Sequence, residues 1–295
     1  MTIETTDALR NGILAANARS SESLHPFQGP RGTVTILLPA KNEEEGIAKT
    51  LAALPVQALQ TAGFGVEVLV VDGHSTDRTV EIATASGARV IRQEGKGKGW
   101  AIRTARQHVR GRYIVMLDAD DSYPAEAIPQ FVAALESGVD VALGSRFRGE
   151  ILEGAMGTVN RFGNRALSLL ASTLFLHRVT DVCTGMWGFR REAFMQIPLT
   201  SQAFEVEAEM FARFAKSGHH IVELPIQYRP RAGETKLGKL KDGVLIGLEI
   251  LKQRFIPAGA PLFVEPLPEL PPPTTSAPLR SFDDAPSTAA KLPRQ

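Results

Sequence analysis

Acidic side chains cluster directly after a buried-type apolar segment near the middle of the chain. Asp118 and Asp120 are separated by one residue, follow the apolar run 113–117, and are followed by Asp121. Like charges held this close repel one another, and a cation relieves the repulsion. Mg²⁺ and Mn²⁺ prefer carboxylate oxygens and can keep phosphate oxygens in their coordination shell. The pattern predicts a metal site at Asp118 and Asp120, where a Lewis acid would stabilise a leaving diphosphate.

Polar side chains also follow the two apolar segments 34–38 and 66–71. Carboxylates and backbone groups at such positions can hold a nucleotide base and ribose. Asp and Ser after a strand also often cap the next helix. Capping is the stronger interpretation of Asp77 and the weaker interpretation of Asp72. The residues concerned are Pro39, Lys41, Asn42 and Glu43 after the first segment, and Asp72, Gly73, His74, Ser75 and Asp77 after the second.

Basic groups occur in three places that could meet a phosphate. The glycine-rich segment 95–99 contains Lys98 and opens a helical pattern, so it is either an anion contact or a flexible turn. Arg146 follows the apolar run 139–144, and the segment 228–236 is densely basic. Arginine side chains suit phosphate binding because their donors form a planar fork. A further segment, 204–209, alternates acidic residues that either face the substrate or begin an exposed element.

Short apolar segments alternate with helical patterns across the middle of the chain. Strands are predicted at 34–38, 66–71, 88–92, 113–117 and 139–144, and helices at 44–54, 77–85 and 100–109. This alternation predicts an α/β fold in which helices cover both faces of a Rossmann-like, mostly parallel sheet. Ligands of such sheets bind beyond the carboxyl ends of the strands, where the polar residues above are placed.

Composition divides the chain into three zones. Residues 1–30 are predicted to be a flexible arm, residues 31–257 a single catalytic domain, and residues 258–295, rich in proline, a disordered tail. The net charge of +1 gives no indication of nucleic-acid binding. Neither a signal peptide nor a membrane span is expected, and the single cysteine, Cys183, fits a reducing compartment. The expected location is therefore cytoplasmic, including peripheral attachment to the cytoplasmic membrane face.

Taken together, these motifs resemble the family 2 glycosyltransferases of the GT-A fold over about residues 33–240. Within that family the chain looks like the dolichyl- or polyprenyl-phosphate sugar synthases. The motifs that carry the resemblance are 38–43, 70–77, 117–120 and 144–146, with 97–99, 181–185, 223–226 and 236–237 for the narrower group.

The resemblance implies roles for individual residues. Pro39, Asn42, Glu43 and Asp72 would hold the base and ribose. Asp118 and Asp120 would face the diphosphate, with Asp120 the direct ligand of Mg²⁺ or Mn²⁺. Ser122 replaces a glutamine that commonly reaches the metal in such enzymes, so the third ligand is in question, and Asp121 or a water could take that place. The phosphates of donor or acceptor would contact Lys98, Arg146, Arg231 and Lys236.

The function implied is inverting transfer of a sugar from a UDP- or GDP-sugar to polyprenyl or dolichyl phosphate. A lipid acceptor requires a membrane surface or a membrane-protein partner, and residues 239–257 are expected to form an interfacial amphipathic helix or a helix packed on the domain. A homo-oligomer is a further expectation. The alternatives are a soluble enzyme with a small acceptor such as 3-phosphoglycerate, a nucleotidyltransferase, and a non-catalytic nucleotide-sugar sensor.

Overall fold

The computed structural model describes residues 31–233 and 241–257. Its centre is a seven-stranded sheet. The strands are β1 (Thr33–Ala40), β2 (Gly65–Asp72), β3 (Arg89–Arg92), β4 (Tyr113–Met116), β5 (Val141–Ile151), β6 (Trp187–Arg190) and β7 (Ile221–Tyr228). Lys236, the predicted arm 1–30 and the predicted tail 258–295 lie outside the described residues.

Helices pack on both faces of this sheet. They are α1 (Glu44–Ala52), α2 (Val56–Thr61), α3 (Thr79–Ala85), α4 (Lys98–Arg106), α5 (Ile128–Glu136), α6 (Thr158–Phe175), α7 (Arg191–Gln196), α8 (Val206–Lys216) and α9 (Lys241–Phe255). A 3₁₀ turn, Ala125–Ala127, precedes α5. No helix in the described part of the chain is both long and apolar enough to cross a bilayer.

The strand order is β3-β2-β1-β4-β6-β5-β7. Strand β1 is parallel to both β2 and β4, β2 is parallel to β3, and β5 is parallel to β7. Only β6, among the described strands, runs antiparallel to its neighbours β4 and β5. The predicted mostly parallel sheet is therefore confirmed, and β6 and β7 are two strands that the sequence pattern did not indicate.

Two apolar cores lie on opposite faces of the sheet, because successive side chains of a strand point to opposite sides. In β1, Ile36 and Leu38 enter the core formed with α1 and α5, whereas Leu37 enters the core formed with α4 and α8. Strands that are covered on both faces read as continuous apolar runs, which is why the central strands were recognisable in the sequence.

The register of the parallel strands brings the chemically active loops together. Ala40 at the end of β1 is paired with Asp72 at the end of β2, and Leu37 is paired with Met116 at the end of β4. The three loops that follow these strands consequently leave the sheet at one edge, as expected for a parallel α/β sheet.

Candidate active site

A cavity of about 810 Å³ opens at the carboxyl edge of the sheet. Its wall contains eight of the predicted site residues, namely Pro39, Asn42, Glu43, Lys98, Asp118, Asp120, Arg146 and Arg231. Asp72 and Ser122 are buried behind the described part of that wall. The structure thus brings together residues from loops that are far apart in sequence, and their individual roles stay predictions.

The loops after β1 and β2 are joined by hydrogen bonds. Asn42 Oδ1 accepts from the Thr76 N–H (2.8 Å), and the Asn42 N–H donates to Ser75 Oγ (2.9 Å). Glu43 N–H donates to Thr79 Oγ1 (2.8 Å). Asn42 adopts a φ of +49°, a conformation that asparagine tolerates better than most residues. These contacts fix the side of the cavity that was predicted to bind a nucleotide.

Two aspartates organise the loop after β2. Asp72 Oδ1 accepts from the Ser75 N–H (3.0 Å), while its buried Oδ2 has no hydrogen-bond partner. Asp77 accepts from the Thr79 N–H and hydroxyl and from the Glu44 N–H. Burial opposes ionisation of Asp77, but these hydrogen bonds prevail and lower its pKa. Asp77 therefore stabilises the loop and the start of α3, in line with the capping interpretation.

Asp118 and Asp120 are each paired with a cation. Lys98 Nζ lies 2.5 Å from Asp118 Oδ1, and Arg231 Nη2 lies 2.7 Å from Asp120 Oδ2. Asp120 is 3% exposed, and its burial together with the charge of Asp118 raises its pKa, although Arg231 opposes this. The two carboxylates are thus close enough to influence each other and require positive charge for compensation.

Ser122 holds Asp120 in place. The buried Ser122 hydroxyl donates to Asp120 Oδ1 (2.5 Å), and the Ser122 N–H donates to the same oxygen (3.0 Å). Helix α1 closes the other side, since a Cβ on Gly46 would lie 2.6 Å from Asp120 Cα. The turn is therefore rigid, and Ser122 supports the geometry of Asp120 whether or not it also contacts a metal.

The acidic turn suits a hard divalent cation. It supplies carboxylate oxygens of two residues. These carboxylates repel each other and already contact the cationic groups of Lys98 and Arg231. Within the described residues no three His, Cys, Asp or Glu side chains are grouped closely enough to hold a metal by themselves. A metal held by Asp118 and Asp120 would consequently need ligands from a bound substrate or from water, which is the usual situation for Mg²⁺.

Lys98 connects the acidic turn to α8. Its ammonium also lies 2.7 Å from Glu207 Oε1, and the lysine side chain is almost fully buried. Burial opposes the charge, but Asp118 and Glu207 outweigh it and raise the pKa of Lys98. Glu207 belongs to the acidic segment 204–209, and of its three glutamates only Glu207 lines the described cavity. Lys98 therefore stays charged beside the predicted diphosphate position.

The glycines around Lys98 permit close packing of two loops. A Cβ on Gly97 would lie 2.2 Å from the Gln202 carbonyl oxygen, and one on Gly99 would lie 2.1 Å from that of Ser201. The Gly99 N–H donates to the Gln202 carbonyl (3.0 Å). The glycine-rich segment is thus fitted against the protein's own backbone, and it contributes Gly97 and the Lys98 side chain to the cavity wall.

Arg146 is held by a carboxylate that the sequence reading did not assign. Asp181 accepts from Arg146 Nε (2.7 Å), Nη2 (2.6 Å) and N–H (3.0 Å), and Cys183 O accepts from Nη2 (2.9 Å). The guanidinium also lies over the Tyr228 ring, 5.1 Å from its centroid. Asp181 occurs in the segment 181–185 that supported the family resemblance, which is the signal that could have identified it. The Arg146 side chain therefore lies in the cavity wall in a fixed orientation.

One part of the cavity wall, which we call the apolar arm, carries mostly apolar side chains beside Asn160 and Asn164. It comes from α6, α9 and the loop before α6, and comprises Met156, Val159, Leu167, Val244 and Ile246. Val159 and Val244 are more than half exposed. Exposed apolar side chains of these two neighbouring helices thus lie beside the apolar arm. We call these the apolar face, defined as Val159, Phe162 and Leu169 of α6 and Val244, Leu245, Leu248, Leu251 and Phe255 of α9.

Comparison with known proteins agrees with this geometry. Residues 35–197 match the model of the family described as glycosyl transferase family 2. The chain belongs to glycosyl transferase family 2. This glycosyltransferase is 40% identical over 221 residues to a dolichyl-phosphate hexose transferase of Haloferax volcanii, covering 74% of this chain and 92% of that one. It is 37% identical over 223 residues to the glycosyltransferase AglJ of the same organism, covering 75% and 71% of the two chains.

Solved structures confirm the predicted GT-A fold of this glycosyltransferase. A glucosyl-3-phosphoglycerate synthase from Mycobacterium tuberculosis in complex with phosphoglyceric acid superimposes with a TM-score of 0.61 at 25% identity, covering 77% of this chain and 81% of that one. Another structure of that synthase contains Mn²⁺, uridine diphosphate and glucosyl-3-phosphoglycerate, with a TM-score of 0.62, 24% identity and the same coverage.

Proposed function

We propose that this glycosyltransferase moves a hexose from a UDP- or GDP-hexose to a polyprenyl or dolichyl phosphate, with Mg²⁺ or Mn²⁺ as cofactor. The observation that carries the proposal is the lining of the cavity, which combines charged groups around Asp118 and Asp120 with the apolar side chains of α6 and α9. A phosphate attached to a hydrocarbon chain matches such a lining in polarity. The similarity to a dolichyl-phosphate hexose transferase supports the same acceptor class.

The reaction requires little proton transfer. An acceptor phosphate oxygen attacks the anomeric carbon, the bond from that carbon to the nucleoside diphosphate breaks, and the diphosphate leaves with the electron pair. Attack opposite the leaving group inverts the anomeric configuration. A phosphate monoester is largely ionised near neutral pH, so no strong general base is needed. The protein contributes by positioning both substrates and by stabilising the charge that develops on the diphosphate.

Three cationic side chains suit these tasks. Lys98 and Arg231 contact the acidic turn directly and so lie beside the proposed diphosphate. Arg146 lies on the cavity wall with Tyr228, and its tight pairing with Asp181 limits its motion. We assign Arg146 to the acceptor phosphate, because a guanidinium can hold phosphate oxygens in a defined orientation. Pro39, Asn42, Glu43 and Asp72 are assigned to the nucleoside, and Lys236 to a phosphate.

The metal is assigned to Asp118 and Asp120, with Ser122 as the proposed further contact. When bound, a divalent cation would neutralise charge on the departing diphosphate as a Lewis acid. Asp120 is the proposed direct ligand, with its Oδ1 fixed by Ser122, and a metal at its Oδ2 would share that oxygen with Arg231 or displace the guanidinium. Asp118 is held by Lys98 at one oxygen, so its carboxylate is also fixed in direction.

The apolar face supports a membrane-bound acceptor. Its α6 residues recur at helical spacing, and α6 contains Arg161 and Arg165 but no acidic residue. Such a surface suits the interface of a bilayer that contains anionic lipid. We propose that the enzyme binds peripherally through this face, which places the mouth of the apolar arm at the lipid surface.

Vesicle flotation tests this attachment. The wild-type chain is expected to float with phosphatidylglycerol-containing vesicles, and Val244→Glu/Leu248→Glu is expected to remain in the dense fraction. The control is Gln57→Glu/Gln60→Glu, which adds the same charge to exposed positions of α2 and should float like the wild type. Equal flotation of both double variants would contradict a specific role of the apolar face.

A second candidate acceptor is a small phosphorylated molecule such as 3-phosphoglycerate. The similarity to glucosyl-3-phosphoglycerate synthase favours it, since that protein was solved with phosphoglyceric acid. The same nucleotide and metal residues would serve, whereas the apolar arm would have no function. For this reason the lipid phosphate is the preferred acceptor.

A substrate screen tests the proposal as a whole. UDP- and GDP-hexoses are incubated with polyprenyl phosphate and either Mg²⁺ or Mn²⁺, and released nucleotide is quantified. Release of nucleoside diphosphate that depends on the acceptor is the expected result. A nucleotidyltransferase would instead be identified by pyrophosphate release in a parallel reaction with UTP or GTP and a hexose 1-phosphate, and binding without turnover would identify a sensor.

A further inference from the structure

Glu207 carries a buried oxygen that the proposed mechanism does not use. The residue lies in the first turn of α8, lines the cavity, and is 5% exposed. Its Oε1 is paired with Lys98 Nζ at 2.7 Å, whereas its Oε2 is buried and has no hydrogen-bond partner among the described residues. A buried acceptor without a partner is unfavourable. Such an atom in a cavity wall indicates a position where a bound ligand supplies the missing donor.

The position of Glu207 is fixed on both sides. Lys98 holds Oε1, and the loop before α8 is packed against Gly97 and Gly99. That loop is also anchored by Glu209, whose carboxylate accepts from the Thr200 N–H (2.9 Å) and the Ser201 N–H (2.7 Å). Glu207 therefore cannot turn toward another partner without disrupting these contacts, and its free oxygen keeps one direction.

Lys98 also indicates which part of a ligand would meet this oxygen. One ammonium group touches both Asp118 Oδ1 and Glu207 Oε1, so the two carboxylates lie on either side of a single lysine head. Asp118 faces the proposed diphosphate. That diphosphate carries the nucleoside at one end and the hexose at the other. The nucleoside is assigned to the loops after β1 and β2, so the hydroxyl donors left for Glu207 are those of the hexose, and a polyprenyl phosphate has no sugar hydroxyl.

We infer that Glu207 Oε2 accepts a hydrogen bond from a hydroxyl of the donor hexose and thereby contributes to sugar selection. The inference rests on the proposed function, and it assigns to Glu207 direct contact with the substrate. A site built to receive a hydroxyl discriminates strongly against a sugar that lacks it, because the acceptor is then left unpaired in a buried position.

Calorimetric titrations without acceptor test this contact. Wild type, Glu207→Gln and Glu207→Asp are titrated, in Mg²⁺, with a nucleoside diphosphate, the matching nucleotide hexose and its singly deoxygenated analogues. Glu207→Gln is expected to weaken binding of the nucleotide hexose by about tenfold or more, since hydrogen bonds to charged groups are strong. The affinity for the nucleoside diphosphate should change by no more than about twofold. Glu207→Asp, one methylene shorter but still charged, should show the same selectivity.

The deoxygenated analogues identify the hydroxyl. One analogue should bind the wild type about as weakly as the parent nucleotide hexose binds Glu207→Gln. The affinity for that analogue should fall little further in the Glu207→Gln variant. The control is Glu205→Gln, because Glu205 only accepts from the Gln202 and Ala203 N–H groups and should not distinguish hexose from nucleoside diphosphate.

Two results would overturn the inference. In one, both Glu207 variants weaken the binding of nucleoside diphosphate and of nucleotide hexose equally, which would mean that Glu207 acts only through Lys98. The other is unchanged binding of both ligands. Failure of the proposed donor class looks different, because the wild type would then bind neither ligand and the inference would fall with it.

Discussion

Arg231 Nη2 lies 2.7 Å from Asp120 Oδ2, and the next residue, Ala232, donates its N–H to the Asp120 carbonyl at 2.9 Å. The segment after β7 is therefore attached to the acidic turn through both side chain and backbone. A second backbone contact, from the Arg229 N–H to the Ser122 carbonyl (3.0 Å), extends this attachment. The basic segment and the acidic turn thus form one unit at the charged end of the cavity.

Asp120→Asn should lower the rate of sugar transfer at least about a hundredfold. The variant removes a metal ligand, and with it the positive charge of the metal that stabilises the leaving diphosphate. The measurement is nucleoside diphosphate release under saturating donor, and EDTA should reduce wild-type activity to a similar level. Glu192→Gln is the control, since it removes one carboxylate charge at an exposed position of α7 that does not line the described cavity. Full activity of Asp120→Asn, or of the wild type in EDTA, would refute the metal assignment.

Arg146→Met should lower the free energy of unfolding by about 3–5 kcal/mol, since Asp181 would remain buried without a cationic partner. Urea denaturation measures the change. Arg146→Met/Asp181→Leu should recover part of the loss, because it removes both charges. Arg148→Met, at an exposed neighbouring position, should change stability by less than about 0.5 kcal/mol. A double variant no more stable than Arg146→Met would show that the ion pair is not the cause.

Gly97→Ala should be more destabilising than Gly138→Ala. Both glycines have positive φ, +97° and +109°, so both alanines carry a similar backbone cost. A Cβ at Gly138 meets no atom within 4 Å, whereas one at Gly97 meets the Gln202 carbonyl at 2.2 Å. Overpacking should therefore add about 1–3 kcal/mol at Gly97 alone. Thermal unfolding of the two variants measures this, and equal losses would argue against close contact between the loops.

Asp120 should give the metal-free protein a distinctive pH dependence. Because burial and Asp118 raise its folded-state pKa above the ordinary value of 3.8, the folded state binds this proton more tightly than the unfolded state does. The contribution of Asp120 to stability therefore increases as pH falls through the raised pKa toward 3.8. Unfolding free energies of wild type and Asp120→Asn, compared across that window, should show wild type gaining relative to the variant. A relative loss on acidification would contradict the raised pKa.

Much of the fold and site could be predicted because both depend on short local patterns. Continuous apolar runs mark β1, β2 and β4, and the polar residues that follow them lie on one edge in any parallel sheet. Asp118, Asp120 and Asn42 were accessible in this way, whereas Arg146, which was predicted to follow a strand ending at residue 144, lies within β5 because that strand continues to Ile151 along β7. Helix and strand ends differed by a few residues, as with α4, which begins at Lys98 instead of the predicted 100.

The remaining features depend on contacts between distant parts of the chain. Strand β6 has four residues and becomes a strand only through pairing with β4 and β5, so its own sequence carries little signal. The pairs Lys98–Glu207 and Arg146–Asp181 join loops that no local pattern relates. The extended end of β5 is also set by its partner β7, across a break in register between Ser145 and Glu150.

Acceptor preference tests the central claim most directly. Specificity constants of the wild-type enzyme are compared for polyprenyl phosphate in detergent and for 3-phosphoglycerate, with the same nucleotide hexose and metal. We predict that kcat/KM for polyprenyl phosphate is higher by at least about a hundredfold, since burial of several methylene groups in the apolar arm contributes to transition-state binding. A kcat/KM for 3-phosphoglycerate that equals or exceeds the value for polyprenyl phosphate would contradict the account.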